Sequence, residues 1–304
     1  MTLSRLAKDH IIKKPVDQSC ALAELSAVIH TAGSAVISRE GLSVEIAGEN
    51  PNLNARAGDI LKTFYGLDAV TLEDKVLSRS IYKTVIPPGA AERVLSDCGI
   101  TEAGGFSLVR GIDRYLIMDT PNKYAYVRGA FLGGGYIAEG KGYRLEFVFS
   151  SRPLASDFAA LLRSLGISSK TAVRKSKYVL YLSSGKNICD LLAGIGADKA
   201  VLELYNELAE RSVRNAANRT ANCINANIDK AVDAAIKQSR AIEYIEAKKG
   251  ADYLPEKLRQ AAAVRKQNPS ATLSEIAGGL GISKSGLNHR MAKIIEMAQK
   301  LMED

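Results

Sequence analysis

The sequence predicts an α+β protein in which a duplicated domain of helices and strands precedes an all-α helix-turn-helix domain. Two observations support this prediction. Residues 25–37, LSAVIHTAGSAVI, and residues 127–139, VRGAFLGGGYIAE, both show an apolar helical pattern that ends in glycine. Near the end of the chain, closely spaced cap and turn signals separate short apolar helices. With 304 residues, the chain is long enough for two or more domains.

The two copies continue to match after the opening helix. Each helix is followed by two strands, the second being GLSVEIAG or GYRLEFVF, and then by an amphipathic helix, GDILKTFYGL or AALLRSLGI. A further strand, SIYKTVI or KYVLYLS, and a closing helix complete each αββαβα unit. A period of about 100 residues indicates a duplicated domain rather than a solenoid. We place an N-terminal helix and the first repeat at 1–105, the second repeat at 106–197, a helical connector at 198–250 and the helix-turn-helix at 251–304.

Three consecutive glycines, Gly133 to Gly135, raise the question of a phosphate-binding loop. Such a loop needs GxxxxGK[ST] after a strand, or GxGxxG opening a helix. Here the apolar run precedes the glycines and no GK[ST] follows them. The sequence therefore predicts no nucleotide cofactor, and Gly33 and Gly135 are expected to end their helices as C′ glycines.

Small residues in the two opening helices predict a close approach of the helix backbones. Glycine inside a helix costs roughly 1 kcal/mol relative to alanine, so Gly129 requires a reason. Ordinary helix C-termini explain Gly33 and Gly135 but leave Gly129 unexplained. The predicted helix interface consists of Ala27, Gly33, Gly129, Gly133 and Gly135.

The last segment of the chain has the layout of a helix-turn-helix. Pro255 begins a helix that stops before Asn268-Pro269. TLSE at 272–275 is a capping box that opens a short helix, Gly281 makes the turn and Ser283 caps a second helix. The residues expected to be buried between the crossed helices are Ile276, Leu280, Ile282 and Leu287.

The second helix of this layout carries the candidate base contacts. If it enters a major groove, the residues at its N-terminus face the base edges. The candidates for bases are Lys284, Ser285, Asn288 and His289, and those for phosphates are Arg290 and Lys293. The alternative is a helical hairpin that mediates contact with a protein.

The connector contains an unusual run, SVRNAANRTANCINANIDK, that is rich in asparagine with spaced arginines. Asparagine is a mediocre helix former, so its repeated use suggests side chains that must form hydrogen bonds. Two uses remain open: contact with DNA through Arg214, Asn218 and Arg219, and packing onto the repeat domain.

The positive charge is concentrated in the second repeat. The chain carries a formal charge of +8. Residues 141–186 contain nine Lys and Arg against two acidic residues, whereas residues 39–93 contain seven against eight. This asymmetry suggests a surface that faces a polyanion, with Arg174, Lys175 and Lys177 as candidates, and the alternative is a solvated basic face.

Other features exclude several classes of protein. No apolar run approaches the length of a membrane span and the N-terminus has no signal peptide, so we expect a cytoplasmic, nucleoid-associated protein without a membrane partner. The four cysteines are widely separated and show no metal-ligand spacing, which favours reduced thiols and no metal site.

A nine-residue helix that ends in glycine, present twice and followed by strands, resembles the LAGLIDADG motif of homing endonucleases. The two copies are LSAVIHTAG at 25–33 and VRGAFLGGG at 127–135. The resemblance implies paired helices at a two-fold centre and a saddle of strands that sits on DNA. In that family the penultimate residue is an acid that holds the divalent metal. Here those positions are Ala32 and Gly134, which offer no side-chain oxygen to Mg²⁺, so the resemblance implies a scaffold without catalytic residues.

The degenerate motif pair, the RNAANR connector and SKSGLNHR in the C-terminal helix together resemble the WhiA family of bacterial regulators. The resemblance covers essentially the full chain. It implies double-stranded DNA as the partner, no small-molecule substrate, and a link to cell division, chromosome segregation or sporulation. It leaves room for other regulatory or division proteins as partners.

The predicted function is a sequence-specific DNA-binding transcriptional regulator that is catalytically dead as a nuclease. One rival is an active endonuclease, against which the missing acids argue. The other is a protein-interaction scaffold that touches DNA only through the helix-turn-helix. The negative charge of the first repeat is compatible with this scaffold, so it remains an alternative.

Overall fold

The structure, a computed structural model, describes residues 1–69, 71–76, 79–102, 107–140 and 142–303. The chain forms two compact units, residues 1–210 and 211–304. All four cysteines are free. None of the helices within the described ranges combines the length and the apolar character that crossing a membrane requires.

The first unit begins with helix α1 (Leu3–Ile12), and two repeats of the same element order follow. The elements of the first repeat are α2 (Ala21–Ala32), β1 (Gly33–Ser38), β2 (Gly41–Gly48), α3 (Pro51–Tyr65), β3 (Thr71–Val76), β4 (Arg79–Ile86) and α4 (Pro88–Asp97). The elements of the second repeat are α5 (Thr120–Gly134), β5 (Gly135–Glu139), β6 (Tyr143–Phe149), α6 (Arg152–Ser164), β7 (Lys170–Arg174), β8 (Lys177–Leu182) and α7 (Gly185–Gly194).

Each repeat forms a four-stranded antiparallel sheet, with strand orders β1-β2-β4-β3 and β5-β6-β8-β7. The predicted duplicated α+β fold is confirmed, but each repeat has one strand more than the predicted αββαβα order. The additional strands, β3 and β7, lie at a sheet edge. Their sequences, TLEDKV and KTAVR, carry charged residues as edge strands often do, and this weakens the apolar alternation that identifies a strand.

Gly33 and Gly135 follow their helices directly, as predicted, but neither adopts the left-handed conformation that is common for a glycine at a helix C-terminus. Gly33 has φ −88° and ψ 149°, and Gly135 has φ −83° and ψ 141°, so both are extended and already belong to a strand. A Cβ at Gly33 would overlap the carbonyl oxygen of Ile29, and one at Gly135 would overlap the ring of Phe131. Glycine is needed here because the strand starts against the preceding helical turn.

The core of the first unit is built around α2 and α5, which pack against each other. In the second repeat it contains a cluster of aromatic side chains. The ring of Phe158 lies 4.8 Å from that of Phe147 and 5.0 Å from that of Phe149, both on β6. Tyr126 of α5 completes the cluster, with its ring 6.3 Å from Phe158. These contacts hold α5 and α6 against the same sheet.

The second unit is entirely helical in its regular structure, within the residues described. Helix α8 (Asp198–Lys249) begins in the first unit and ends in the second, and α9 (Glu256–Gln267), α10 (Leu273–Gly279) and α11 (Lys284–Glu303) follow. Arg265 of α9 is buried; its Nε donates to Oε1 of Gln238 on α8 at 3.0 Å and its Nη1 to the carbonyl of Ala271 at 2.6 Å. This guanidinium therefore ties α8 and α9 to the segment before α10.

The imidazole of His30 lies between α2 and α5. Its Nδ1 is 2.8 Å from the hydroxyl of Tyr126. Burial lowers the pKa of His30 to about 4, so the folded protein keeps this side chain neutral.

This burial predicts a loss of stability in mild acid. A histidine in the unfolded chain has a pKa near 6.5. Between pH 6.5 and pH 4, His30 is therefore protonated in the unfolded chain but neutral in the folded one. The free energy of unfolding is therefore unaffected by His30 above pH 6.5 and decreases as the pH falls from 6.5 towards 4. Between pH 7.5 and pH 5 the expected decrease is about 2 kcal/mol. Urea unfolding of the wild type and of His30→Gln at both pH values measures it. An equal pH dependence in the two proteins would show that His30 is not the cause.

Candidate nucleic-acid interface

The helix-turn-helix is built from local capping interactions. Thr272 and Glu275 form the predicted capping box: the Thr272 Oγ1 accepts from the Glu275 N–H at 3.3 Å, and the Glu275 carboxylate accepts from the Thr272 N–H at 2.7 Å. Gly281 adopts φ +65°, which places the turn in the left-handed region. The Ser283 Oγ then accepts from the Gly286 N–H at 3.0 Å and starts α11.

Helix α11 has one buried and one exposed face. The buried face carries Leu287, Met291, Ile294, Ala298 and Leu301. The structure places the predicted residues Lys284, Ser285, Asn288, His289 and Lys293 on the exposed face. They lie on the side of the helix away from the buried residues, with Lys284, Ser285, Asn288 and His289 in its first two turns and Lys293 near its middle. This arrangement offers donors, acceptors and positive charge together.

Arg290 differs from the other five predicted contacts. It is half-buried, and its Nη1 lies 3.4 Å from the carbonyl oxygen of Lys257 on α9. The neighbouring Met291 enters the core in its place. Arg290 therefore lies at the border between the packed face and the exposed face.

The connector residues lie in α8. Arg214, Asn218 and Arg219 are all exposed, as is every residue from 212 to 233. Arg214 and Asn218 are four residues apart and share a side of the helix. They carry a guanidinium and an amide, which are suited to phosphate and to hydrogen-bonding edges respectively.

Arg174, Lys175 and Lys177 surround the tip of the hairpin between β7 and β8. Arg174 pairs with Lys177 across the strands, and Lys175 and Ser176 form the two-residue turn with φ of 45° and 62°. Positive φ at both central residues is the geometry of a type I′ turn, which suits the twist of a hairpin. The turn thus presents three positive charges at one projecting point.

The outer faces of the two sheets, opposite the helices, differ in charge. On the second sheet Glu146 forms ion pairs with Arg144, at 2.6 Å, and with Arg174, at 3.4 Å. The guanidinium of Arg144 also stacks 3.5 Å from the ring centre of Tyr181. Glu146 and Tyr181 cannot be recognised from a local sequence pattern, because their contacts depend on cross-strand neighbours.

On the first sheet the corresponding face carries Lys83 between two acids. Its Nζ lies 2.8 Å from Asp74 and 3.9 Å from Glu45. The ion pair with Asp74 raises the pKa of Lys83. This cluster is net negative, whereas the cluster on the second sheet is net positive. The charge asymmetry between the repeats therefore appears on the sheet surfaces themselves.

The two positions at which the resembling nucleases carry metal-binding acids do not fit a divalent cation. Ala32 and Gly134 are the last residues of α2 and α5, and neither has a side-chain oxygen. The two nearby acids serve other contacts: Glu24 is buried against Arg56 and Arg128, and Glu139 accepts from the Leu3 N–H at 2.7 Å. No group of three or more His, Cys, Asp or Glu residues that could hold a metal is found in the described part of the chain.

Of the predicted interface residues, Ala27, Gly129 and Gly133 lie where α2 and α5 cross, whereas Gly33 and Gly135 contact their own helices. A Cβ at Gly129 would overlap the carbonyl oxygen of Glu24 and lie 3.0 Å from Cβ of Ala27. A Cβ at Gly133 would overlap Oγ1 of Thr31, which in turn donates to the carbonyl of Ala27 at 2.7 Å. The two helix backbones thus come too close for any larger side chain at these points.

Gly129→Ala is accordingly expected to destabilise the first unit by roughly 2–3 kcal/mol, because an added methyl group must push two helix backbones apart. Gly58→Ala is the matched control: Gly58 also lies inside a helix, but a Cβ there meets nothing within 4 Å. That control should stabilise the protein by about 0.5–1 kcal/mol. Urea unfolding measures both, and similar values for the two variants would contradict the close approach.

These features define a class of protein: a duplicated LAGLIDADG-like domain joined to a helix-turn-helix domain. Three family models match the chain, namely the WhiA N-terminal LAGLIDADG-like domain over residues 18–101, the WhiA LAGLIDADG-like domain over 123–214 and the WhiA C-terminal helix-turn-helix domain over 217–298. The chain belongs to the WhiA family.

Relatives match over the whole length. The probable cell division protein WhiA of Clostridium beijerinckii is 35% identical over 311 residues, with 99% of each chain covered. That of Alkaliphilus oremlandii is 37% identical over 298 residues, with 94% of this chain and 93% of the relative covered. The crystal structure of full-length WhiA from Thermotoga maritima is similar at a TM-score of 0.59 and 22% identity, covering 98% of this chain and 97% of that one, and confirms the fold.

Proposed function

We propose that this protein is a sequence-specific DNA-binding transcriptional regulator that does not cut DNA. The observation that carries the proposal is the exposed face of α11. Lys284, Ser285, Asn288 and His289 stand there on a helix whose opposite side is anchored by Leu287 and Met291. A helix that is anchored in this way can present its exposed side chains to base edges from a fixed backbone.

The second repeat would add an electrostatic contact. The hairpin tip with Arg174, Lys175 and Lys177 would meet phosphates, and such contacts strengthen binding without reading the sequence. Arg214, Asn218 and Arg219 on α8 are proposed as a third set of contacts, because they are exposed and chemically suited to DNA. The relatives are named cell division proteins, and we extend that link to this chain, with chromosome segregation and sporulation as further candidates.

The absence of cutting is proposed from the two motif ends. Hydrolysis in the resembling nucleases depends on a metal held by acids at the positions of Ala32 and Gly134. Glu24, the acid buried in α2, is engaged by two arginines and is not available as a substitute.

A pull-down on fragmented host DNA tests the proposal. The purified protein is incubated with the fragments and Mg²⁺, and both the bound fragments and their ends are sequenced. Intact fragments that share a short motif are the expected result. New ends at defined positions would overturn the loss of nuclease activity, and binding without a shared motif would favour the scaffold described next.

The second candidate is a protein-interaction scaffold that touches DNA only through the helix-turn-helix. The observation that favours it is the negative cluster of Glu45, Asp74 and Lys83 on the first sheet, which does not suit a DNA-facing surface.

Replacing Arg174, Lys175 and Lys177 together by alanine separates the two candidates. If all three meet phosphates, the slope of log K against log salt should become less steep by about 2–3 and the affinity should fall for every DNA sequence. The matched control removes three exposed basic residues of the first repeat, Arg39, Lys62 and Arg93, and should leave the slope unchanged. An unchanged slope in the hairpin variant as well would support the scaffold.

A further inference from the structure

A pocket of about 570 Å³ lies in the first unit beside the end of α5. It is formed where α1 meets the start of α3, strand β4 and the α5–β5 junction. The volume falls within the range of small-molecule sites in proteins. None of the contacts described above for DNA uses it.

Lys8 is one of the charged residues that line this pocket. Its Nζ donates to the carbonyl oxygen of Leu132, near the C-terminus of α5, at 3.1 Å and lies 5.6 Å from the ring centre of Phe131. Burial lowers the pKa of Lys8 to about 8, and no carboxylate of a described residue offsets this effect. Lys8 is half-buried, and one backbone carbonyl is a weak partner for a partly desolvated ammonium group, so the site can accept a further anionic partner.

The other lining residues supply further groups that suit an anion. Arg5 lies one helical turn before Lys8, and its side chain is 73% exposed, with Asp9 at 3.8 Å. Hydroxyl groups come from Thr2, Ser80 and Tyr82 among the lining residues. Glu49 also lines the pocket, so the described lining contains two basic residues, Arg5 and Lys8, and one acidic residue.

The pocket lies at a point of the fold that has a function in the resembling nucleases. It adjoins Gly133 and Gly135, at the end of the helix where the resembling nucleases carry a metal-binding acid. A carboxylate there would attract a cation. In this chain Lys8 from α1 lies at the same helix end. A lysine there attracts an anion instead of a cation.

We propose that this pocket binds a phosphate group, with Lys8 and Arg5 as its cationic contacts. The phosphate can belong to a small phosphorylated molecule or to the backbone of DNA; the chemistry of recognition is the same. In the first case the protein has a ligand site in addition to its DNA-reading surface, and in the second the pocket is a further point of DNA contact.

Phosphorus NMR of inorganic phosphate tests the proposal directly. The phosphate resonance is expected to broaden on addition of the wild-type protein at constant ionic strength. Lys8→Met should raise the Kd for phosphate by about tenfold or more, as expected for a lost charged hydrogen bond. Lys13→Met is the matched control, since Lys13 is an exposed lysine just beyond the same helix and should leave the broadening unchanged. Circular dichroism establishes that all three proteins are folded.

The salt dependence of DNA binding distinguishes the two sources of phosphate. If Lys8 meets a DNA phosphate, Lys8→Met reduces the slope of log K against log salt by about 0.9, whereas Lys13→Met does not. Broadening that depends on Lys8 with an unchanged slope identifies a small phosphorylated ligand. Wild-type protein that leaves the resonance sharp, or broadening that survives Lys8→Met, overturns the proposal. Neither result bears on base reading by α11, so the two proposals fail separately.

Discussion

Replacing Asn288 and His289 together by alanine is expected to lower the affinity for a specific DNA site by about 1000-fold. A well-placed base contact contributes about 1–3 kcal/mol of discrimination, so two contacts of about 2 kcal/mol each give this factor. Both side chains are exposed on the first turns of α11, and neither contributes to the buried face of the helix. The fold should therefore remain intact, and binding to unrelated DNA should change little.

Fluorescence anisotropy with the identified site and with a scrambled duplex measures the two affinities. Gln299→Ala is the matched control, because Gln299 is exposed on the same helix but lies near its far end. Lys293→Ala serves as a contrast: as a phosphate contact it should weaken binding to both duplexes alike. An equal loss on both duplexes for the double variant would mean that Asn288 and His289 only position the protein. No loss on either duplex would make this helix a protein contact.

Glu24→Gln is expected to cost the first unit about 3–5 kcal/mol of stability, the usual effect of breaking a buried ion pair by removing one partner. The Glu24 carboxylate accepts from Arg56 Nε at 2.6 Å and from Arg56 Nη2 at 3.2 Å, and both side chains are almost completely buried. Arg128 donates to the same carboxylate at 3.0 Å. Without the negative charge, a buried guanidinium is left with neutral partners.

The position of Glu24 explains why the effect should extend beyond one helix. Glu24 lies on α2, Arg56 on α3 and Arg128 on α5, so the carboxylate joins the first repeat to the second. Arg128 also donates from Nε to the carbonyl of Ile195 at 3.1 Å, just after α7. The network therefore fixes the crossing of the two opening helices from one side.

Urea unfolding followed by circular dichroism measures this cost. The matched control is Glu92→Gln, an exposed glutamate on α4 that should change stability by no more than about 0.5 kcal/mol. The double variant Glu24→Gln/Arg56→Met should recover part of the loss, because it also removes the unpaired charge. A cost below about 1 kcal/mol for Glu24→Gln would show that the arginines find other partners.

The parts of the fold that sequence reasoning identified are those encoded by local patterns. The capping box at Thr272 and Glu275, the turn at Gly281 and the cap at Ser283 each involve residues only a few positions apart, and the structure confirms them. The repeated helices and the central strands were identified because their apolar periodicity is strong. Strands β3 and β7 were missed because they are charged edge strands, in which that periodicity is weak.

The environment of individual polar side chains could not be predicted in the same way. Arg265 meets Gln238, which is 27 residues away, and Lys8 meets Leu132, which is 124 residues away. No local pattern links such partners. The opening helices show the same limit: their glycines were recognised as special, but only the packed structure shows that steric contact, and not a left-handed backbone, requires Gly33 and Gly135.

By itself, the sequence determined the family, the duplicated architecture and the exposed face of α11, because periodicity and capping are properties of neighbouring residues. The tertiary structure decided which charges are buried and which are exposed. It placed Glu24 between two arginines, paired Arg174 with Glu146 and brought Lys8 against the C-terminal end of α5. The physical reason is that desolvation and ion pairing depend on groups brought together from distant parts of the chain, and folding alone creates those neighbourhoods.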